Sequence, residues 1–202
     1  NVGSGSHSKQ TAEIMIRFEE SCSDYKPDIV IVFGDVNSTI ACALVARKMG
    51  IPVAHVEAGL RSRDMTMPEE INRVLTDHIS DFLFTTSRFA DSNLLAEGIP
   101  KSKIHFVGNV MIDTLIFQMD KINQSEIMKK LALKEKEFDL LTLHRPSNVD
   151  NYTIFRRIIE NFISISFDKK IIFPAHPRTV SAINRMDLSR KVAEANIEII
   201  EP

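Results

Sequence analysis

The sequence predicts an α/β protein built on parallel sheets, and three observations carry that expectation. Short apolar, β-branched runs recur along the chain, the clearest being DIVIVFG at 28–34. Amphipathic helical stretches separate these runs, and glycine or proline stands at most junctions. Parallel strands need long crossovers, so this alternation implies βαβ units with helices covering both faces of each sheet.

The elements follow in order. The run 28–34 ends in glycine and is expected to be a strand buried on both faces. Residues 37–49 read as a helix, with Asn37 or Ser38 near its start and Gly50 at its end. A strand over 51–56 comes next. Pro68 opens a helix over 68–78 at an N1-like position, and Glu69 and Glu70 suit the positive end of its dipole. A strand over 81–85, a helix over 88–97 closed by Gly98, a strand over 104–107 and a helix from 110 to 118 continue the pattern.

The Lys-rich stretch 129–136 reads as a solvated helix end or an interdomain connection. A second unit then runs strand 138–143, helix 152–166, strand 170–174, helix 180–186 and strand 197–200. The expected division is one Rossmann-like domain over 1–125 and the start of a second over 126–202, with the second sheet cut short.

Composition narrows the class of partner. The 202 residues fit one large or two small domains. Lys and Arg total 25 against 27 Asp and Glu, a balance that argues against a nucleic-acid or membrane-surface binder. No stretch approaches the roughly 18 apolar residues of a membrane span, and no signal peptide is recognised, so a cytoplasmic protein is expected. Cys22 and Cys42 lie in helical stretches without a CxxC pattern and read as small core residues. No spacing such as HExxH points to a metal.

In open α/β sheets, ligands bind beyond the carboxyl ends of the strands. Asp35 follows the first strand, Glu57 the second, Glu69 and Glu70 open the next helix, and His144 and Arg145 follow the first strand of the second unit. Each has a plainer reading. Asp35 is equally placed to cap the helix after it, the two glutamates to meet a helix dipole, and His144 to sit in a polar loop. Glu57 is the exception, because an acid between an apolar strand and Ala58-Gly59 is poorly placed for a solvated charge. His176-Pro177-Arg178 marks another strand end suited to an anionic ligand. The glycine-rich start, Gly3-Ser4-Gly5-Ser6-His7, fits neither phosphate-loop pattern, since Ser8 stands where a third glycine is needed and no Gly-Lys follows. It reads as a flexible loop leading into a helix over 9–22.

The blocks GDVNST at 34–39, HVEAGLRS at 55–62, PEEINR at 68–73, Gly108-Asn109 with Asp113, TLHRPSNVD at 142–150 and HPR at 176–178 resemble the non-hydrolysing UDP-N-acetylglucosamine 2-epimerases. The pair HVEAGLRS and PEEINR is the specific part. The resemblance implies two Rossmann-like domains of the glycosyltransferase-B-like type, both incomplete here. It also implies interconversion of UDP-GlcNAc and UDP-ManNAc through 2-acetamidoglucal and UDP, with no cofactor, in a homodimer. By motif, Asp35, Glu57 and Glu69 handle protons and His144 is the functional histidine. Arg145, Arg73 and His176 are the expected substrate-binding residues.

Two departures stand out. Ser147 replaces the family's usual glutamate, and the N-terminal Gly-Thr-Arg-Pro-Glu-like loop and the later Ser-Gly-Gly segment are not in this sequence, so a fragment is expected. The alternatives are a hydrolysing epimerase that releases free N-acetylmannosamine, a glycosyltransferase of the same plan, and a non-catalytic sugar-nucleotide-binding module.

Overall fold

The computed structural model describes residues 2–3, 5–143 and 146–202. The chain divides into two compact units, Asn1–Asp120 and Lys121–Pro202.

The first unit runs α1 (His7–Tyr25), β1 (Val30–Phe33), α2 (Asn37–Lys48), β2 (Val53–Ala58), α3 (Pro68–Ile79), β3 (Phe82–Thr85), α4 (Arg88–Ala96), a 3-10 turn (Lys101–Lys103), β4 (Ile104–Phe106) and α5 (Val110–Asn123), a helix that continues past the division. Local chemistry sets the boundaries. The Ser6 and Ser87 side chains accept backbone N–H groups at the starts of α1 and α4, each satisfying a donor that a helix start leaves over. Gly50, at φ +77°, turns the chain out of α2 in the left-handed conformation glycine adopts without cost.

All four strands are parallel, in the order β1-β2-β3-β4. Right-handed crossovers between strands laid down in sequence order place every connecting helix on the same face. The contacts agree: α2 packs on β1 and β2, α3 on β2, and α4 on β3 and β4. Val30, Val32, Val53 and Leu83 are therefore buried, whereas Ile31, Phe33 and Phe82 on the opposite side are exposed. The expectations of helices on both faces and of a doubly buried first strand are corrected here. Strand order, which the hydrophobic pattern does not contain, leaves Ile31, Phe33 and Phe82 on the second face exposed among the described residues.

The second unit runs α6 (Ile127–Lys130), β5 (Phe138–Leu140), α7 (Pro146–Val149), α8 (Tyr152–Ile165), β6 (Lys170–Pro174), α9 (Pro177–Arg185), α10 (Ser189–Glu194) and β7 (Ile197–Ile200). Its sheet is parallel, in the order β5-β6-β7. Phe155 and Ile159 of α8 pack with Ile171 and Phe173 of β6 and with Ala182 and Ile183 of α9 to form the core. β5 is shorter than expected: its ladder stops at Leu140, and one further bond joins Leu141 N–H to the Ile172 carbonyl. α9 starts at Pro177, three residues before the expected start, because the His176 ring caps it by accepting the Arg178 N–H at 3.2 Å.

Candidate active site

The block PEEINR at the start of α3 ties the two preceding strand ends together. Asn72 donates to the Asp35 carbonyl at 2.9 Å, and Arg73 donates to the Asp35 carboxylate at 2.5 Å. Asp35 is therefore an ion-pair partner and not a helix cap: residue Val36 takes the cap position of α2, with no side-chain bond. Arg73 also reaches Glu70 Oε2 at 3.4 Å. Glu70 is 1% exposed and accepts the backbone N–H groups of Ser62 and Arg63 at 2.9 and 2.8 Å. Burial pushes its carboxyl upward, but those two N–H donors, the Ser62 hydroxyl and the Arg73 charge outweigh it, leaving the group below the usual glutamate range. One acid of the pair thus locks the loop after β2, while its neighbour Glu69 is half-buried with no hydrogen bond or ion pair among the described residues.

Glu57 has the least ordinary backbone of the candidate acids. In the β2–β3 ladder Val56 faces Phe84 and Ala58 faces Thr85, so Glu57 is the extra residue of a β-bulge. Its φ of +76° costs a non-glycine residue on the order of 1–2 kcal/mol. Its carboxylate is half-buried, without a hydrogen bond or ion pair among the described residues. Glu57 Oε2 lies 3.6 Å from where a Cβ on Gly34 would stand. The bulge thus turns an acid toward the end of β1, one residue before Asp35. Strain kept at such a position is a mark of functional sites.

A buried polar cluster that sequence reading did not single out lies directly behind Glu57. His55, fully buried, faces Asp77 through Nδ1 at 2.7 Å and donates from Nε2 to the Gly34 carbonyl at 2.8 Å. Asp77 also accepts from Gly59 N–H at 3.1 Å and from Arg61 at 2.7 Å. Arg61 in turn makes two bonds to Glu97, at 2.7 and 2.6 Å. Burial works against the Arg61 charge, yet the bonds to Glu97 and the nearby Asp77 hold it above the ordinary arginine range. His55 and Arg61 belong to HVEAGLRS, and Asp77 is a polar residue near the end of α3. That arrangement was the available signal.

At the starts of α1, α2 and α3, a crevice is lined by His7, Thr11, Asn37 and Asn72 on its polar side and by Met15 and Ile71 on its apolar side. Three helix N-termini meet there, a setting that favours anionic groups. His7 and Gln10 both bond to Asn37, so the glycine-rich start leads into this wall.

In the second unit, His176 is exposed and caps α9, and Arg178 pairs with Asp150 at 2.7 Å. Thr179 donates to the Leu143 carbonyl at 3.2 Å, tying the segment after β5 to α9. His144 and Arg145 lie outside the described residues. Among the described residues no group of three or more His, Cys, Asp or Glu is placed to hold a metal ion, and no helix is long and apolar enough to cross a membrane. Cys22 and Cys42 are free thiols; burial, and secondarily Cys22, pushes Cys42 up to about 11.

Residues 1–202 match the profile of the family described as UDP-N-acetylglucosamine 2-epimerase. The chain belongs to this family. It is 46% identical to the UDP-N-acetylglucosamine 2-epimerase of Methanococcus maripaludis, over 100% of this chain and 57% of that protein. It is 38% identical to the UDP-2,3-diacetamido-2,3-dideoxy-D-glucuronate 2-epimerase of Pseudomonas aeruginosa, over 100% of this chain and 55% of that protein. The crystal structure of the Methanocaldococcus jannaschii UDP-GlcNAc 2-epimerase in complex with UDP-GlcNAc and UDP superimposes with a TM-score of 0.86 at 46% identity, covering 100% of this chain and 57% of that one. The chain thus spans little more than half the length of these relatives. In this chain HVEAGLRS and PEEINR have a joint structural reason: the second block supplies Glu70 to the loop that ends the first.

Proposed function

We propose that the protein is a non-hydrolysing epimerase that inverts C2 of UDP-N-acetylglucosamine, giving UDP-N-acetylmannosamine. The observation that carries the reading is Glu57: a strained, bulged acid with no partner among the described residues, turned toward the strand end that bears Asp35.

The chemistry requires such groups. The C2 proton of the sugar has no carbonyl beside it in the ring, so direct removal leaves an unstabilised carbanion. Breaking the C1–O bond first, with the electron pair leaving on UDP, places positive charge at C1 and makes the C2 proton acidic. A carboxylate takes that proton, giving the C1=C2 alkene of 2-acetamidoglucal. An acid on the opposite face then delivers a proton to C2, and a diphosphate oxygen of UDP re-forms the bond to C1. Two proton carriers and one fixed negative charge near C1 are needed.

Glu57 and Glu69, both without internal partners among the described residues, fit the proton carriers. Asp35, held by Arg73, fits the charge near C1. His144, Arg145 and His176 are assigned to contacts with the nucleotide, and the enzyme is taken to work as a homodimer. The helix N-termini at the crevice beside Asn37 and Pro68 would favour the anionic end of such a ligand.

The test incubates the intact protein with UDP-GlcNAc in deuterated water and follows C2 by proton NMR. Deuterium at C2 of UDP-ManNAc supports the reading. Free N-acetylmannosamine plus UDP would make the enzyme a hydrolysing epimerase instead. An unchanged sugar with turnover of a diacetamido-glucuronate nucleotide would move the substrate toward that of the Pseudomonas relative.

A further inference from the structure

We propose that His55 and Asp77 are positioning residues that hold the Glu57 bulge in its reactive geometry, an inference that rests on Glu57 acting at C2. The bulge is gripped on both sides. Before it, Gly34 N–H donates to the Val56 carbonyl at 3.1 Å, and the Gly34 carbonyl accepts from His55 Nε2 at 2.8 Å. After it, Gly59 N–H donates to Asp77 Oδ2 at 3.1 Å, and the Gly59 carbonyl accepts from Asn93 at 3.0 Å.

The same Asp77 carboxylate faces His55 Nδ1 and accepts from Arg61, so a single buried acid connects the two grips. Its carboxylate is fully occupied by protein groups and wholly enclosed, which rules it out as a group that meets substrate. A residue at φ +76° relaxes toward ordinary backbone unless its surroundings over-determine it. Here the surroundings are the fixed distance between the end of β1 and the turn at Gly59. A displacement of about 1 Å at a proton-transferring carboxylate costs on the order of 100-fold in rate, so the grip belongs to the catalytic step more than to binding.

The experiment is a kinetic double-mutant cycle on the intact protein, pairing Asp77→Asn with Glu57→Asp. Asparagine keeps an acceptor oxygen but removes the carboxylate that holds His55, Gly59 N–H and Arg61 together. Asp77→Asn is expected to lower kcat about 30-fold or more, with KM and UDP affinity within about twofold of the parent. In the Glu57→Asp background, where the carboxylate is already withdrawn, the same change is expected to cost less than about threefold.

An Asp77→Asn enzyme within about threefold of the parent overturns the proposal, as does a loss that multiplies undiminished onto Glu57→Asp. Should Asp77→Asn not fold, His55→Gln and His55→Asn carry the same test. The glutamine amide reaches the Nε2 position and can still donate to Gly34, whereas the asparagine amide sits at the Nδ1 position. Glutamine retaining kcat at least about tenfold above asparagine supports the grip on Gly34; equal losses, or two inactive variants that keep normal UDP binding, contradict it. Normal turnover by Glu57→Asp and Glu57→Gln would instead sink the functional reading beneath it.

Discussion

Arg73 donates to the Asp35 carboxylate at 2.5 Å from across the gap between α3 and the end of β1. The pair fixes the position of one strand-end acid, while Glu57 at the neighbouring strand end has no such partner among the described residues. One of the two carboxylates is thus held in place by the protein, and the other is left free to meet a ligand.

Replacing Arg73 by methionine keeps the packed stem and removes two ion pairs at once. Asp35 loses its partner, and Glu70 loses the cation at 3.4 Å. The offset is that Arg73 Nε is itself buried without a partner among the described residues, so its removal relieves one unsatisfied group. Charged hydrogen bonds of this kind are worth about 1.5–3 kcal/mol, and a net loss of about 1–2 kcal/mol is expected. Denaturant unfolding measures it; no change in stability would show that Asp35 does not depend on the pair.

Glu57→Gly is expected to separate stability from activity. Glycine adopts φ +76° without the clash that a side chain meets there, so unfolding stability is expected to rise by about 1 kcal/mol while C2 exchange is lost. A less stable glycine variant would show that the bulge is not strained.

Glu70→Gln is expected to cost about 2–4 kcal/mol at neutral pH, because the amide presents a donor to one of two backbone N–H groups. The sign of the pH effect follows from its depressed pKa. The stabilisation is fully present above the ordinary glutamate range and is lost as pH falls through the lower folded value. The gap in Tm between parent and variant should therefore narrow in acid; a gap that widens there contradicts the assignment.

Gly59→Ala tests the turn behind the bulge. An added Cβ would lie 2.6 Å from the Ala90 carbonyl oxygen, at φ +80°. Backbone cannot yield as a flexible side chain does, so a loss above about 2 kcal/mol is expected by thermal or chemical unfolding. A neutral outcome would mean that α4 moves away from β2 freely.

Much of this architecture was legible in the chain itself. β6 and β7 lie where their apolar runs place them, at Lys170–Pro174 and Ile197–Ile200. The helices α6, α7 and α10 were not, since four to six residues are too few to show a helical period. The open side of β1 was hidden because Ile31 and Phe33 look like core residues until strand order is known. At the site, Glu57 stood out as an acid in an apolar setting, but its bulge depends on pairing with β3, which no local pattern encodes. By position in the helix Glu69 and Glu70 looked alike, although the family resemblance singled out Glu69. The fold adds the physical difference: Glu70 locks the loop after β2, and Glu69 is left without a partner among the described residues.

The role of Glu57 at C2 is tested by Glu57→Gln in the intact protein, with UDP affinity and deuterium exchange at C2 of UDP-GlcNAc measured side by side. UDP binding is expected within about twofold of the parent, with exchange slowed by at least about 10³-fold, as for loss of a proton-transferring group. Exchange at a near-parental rate with binding intact would contradict that role.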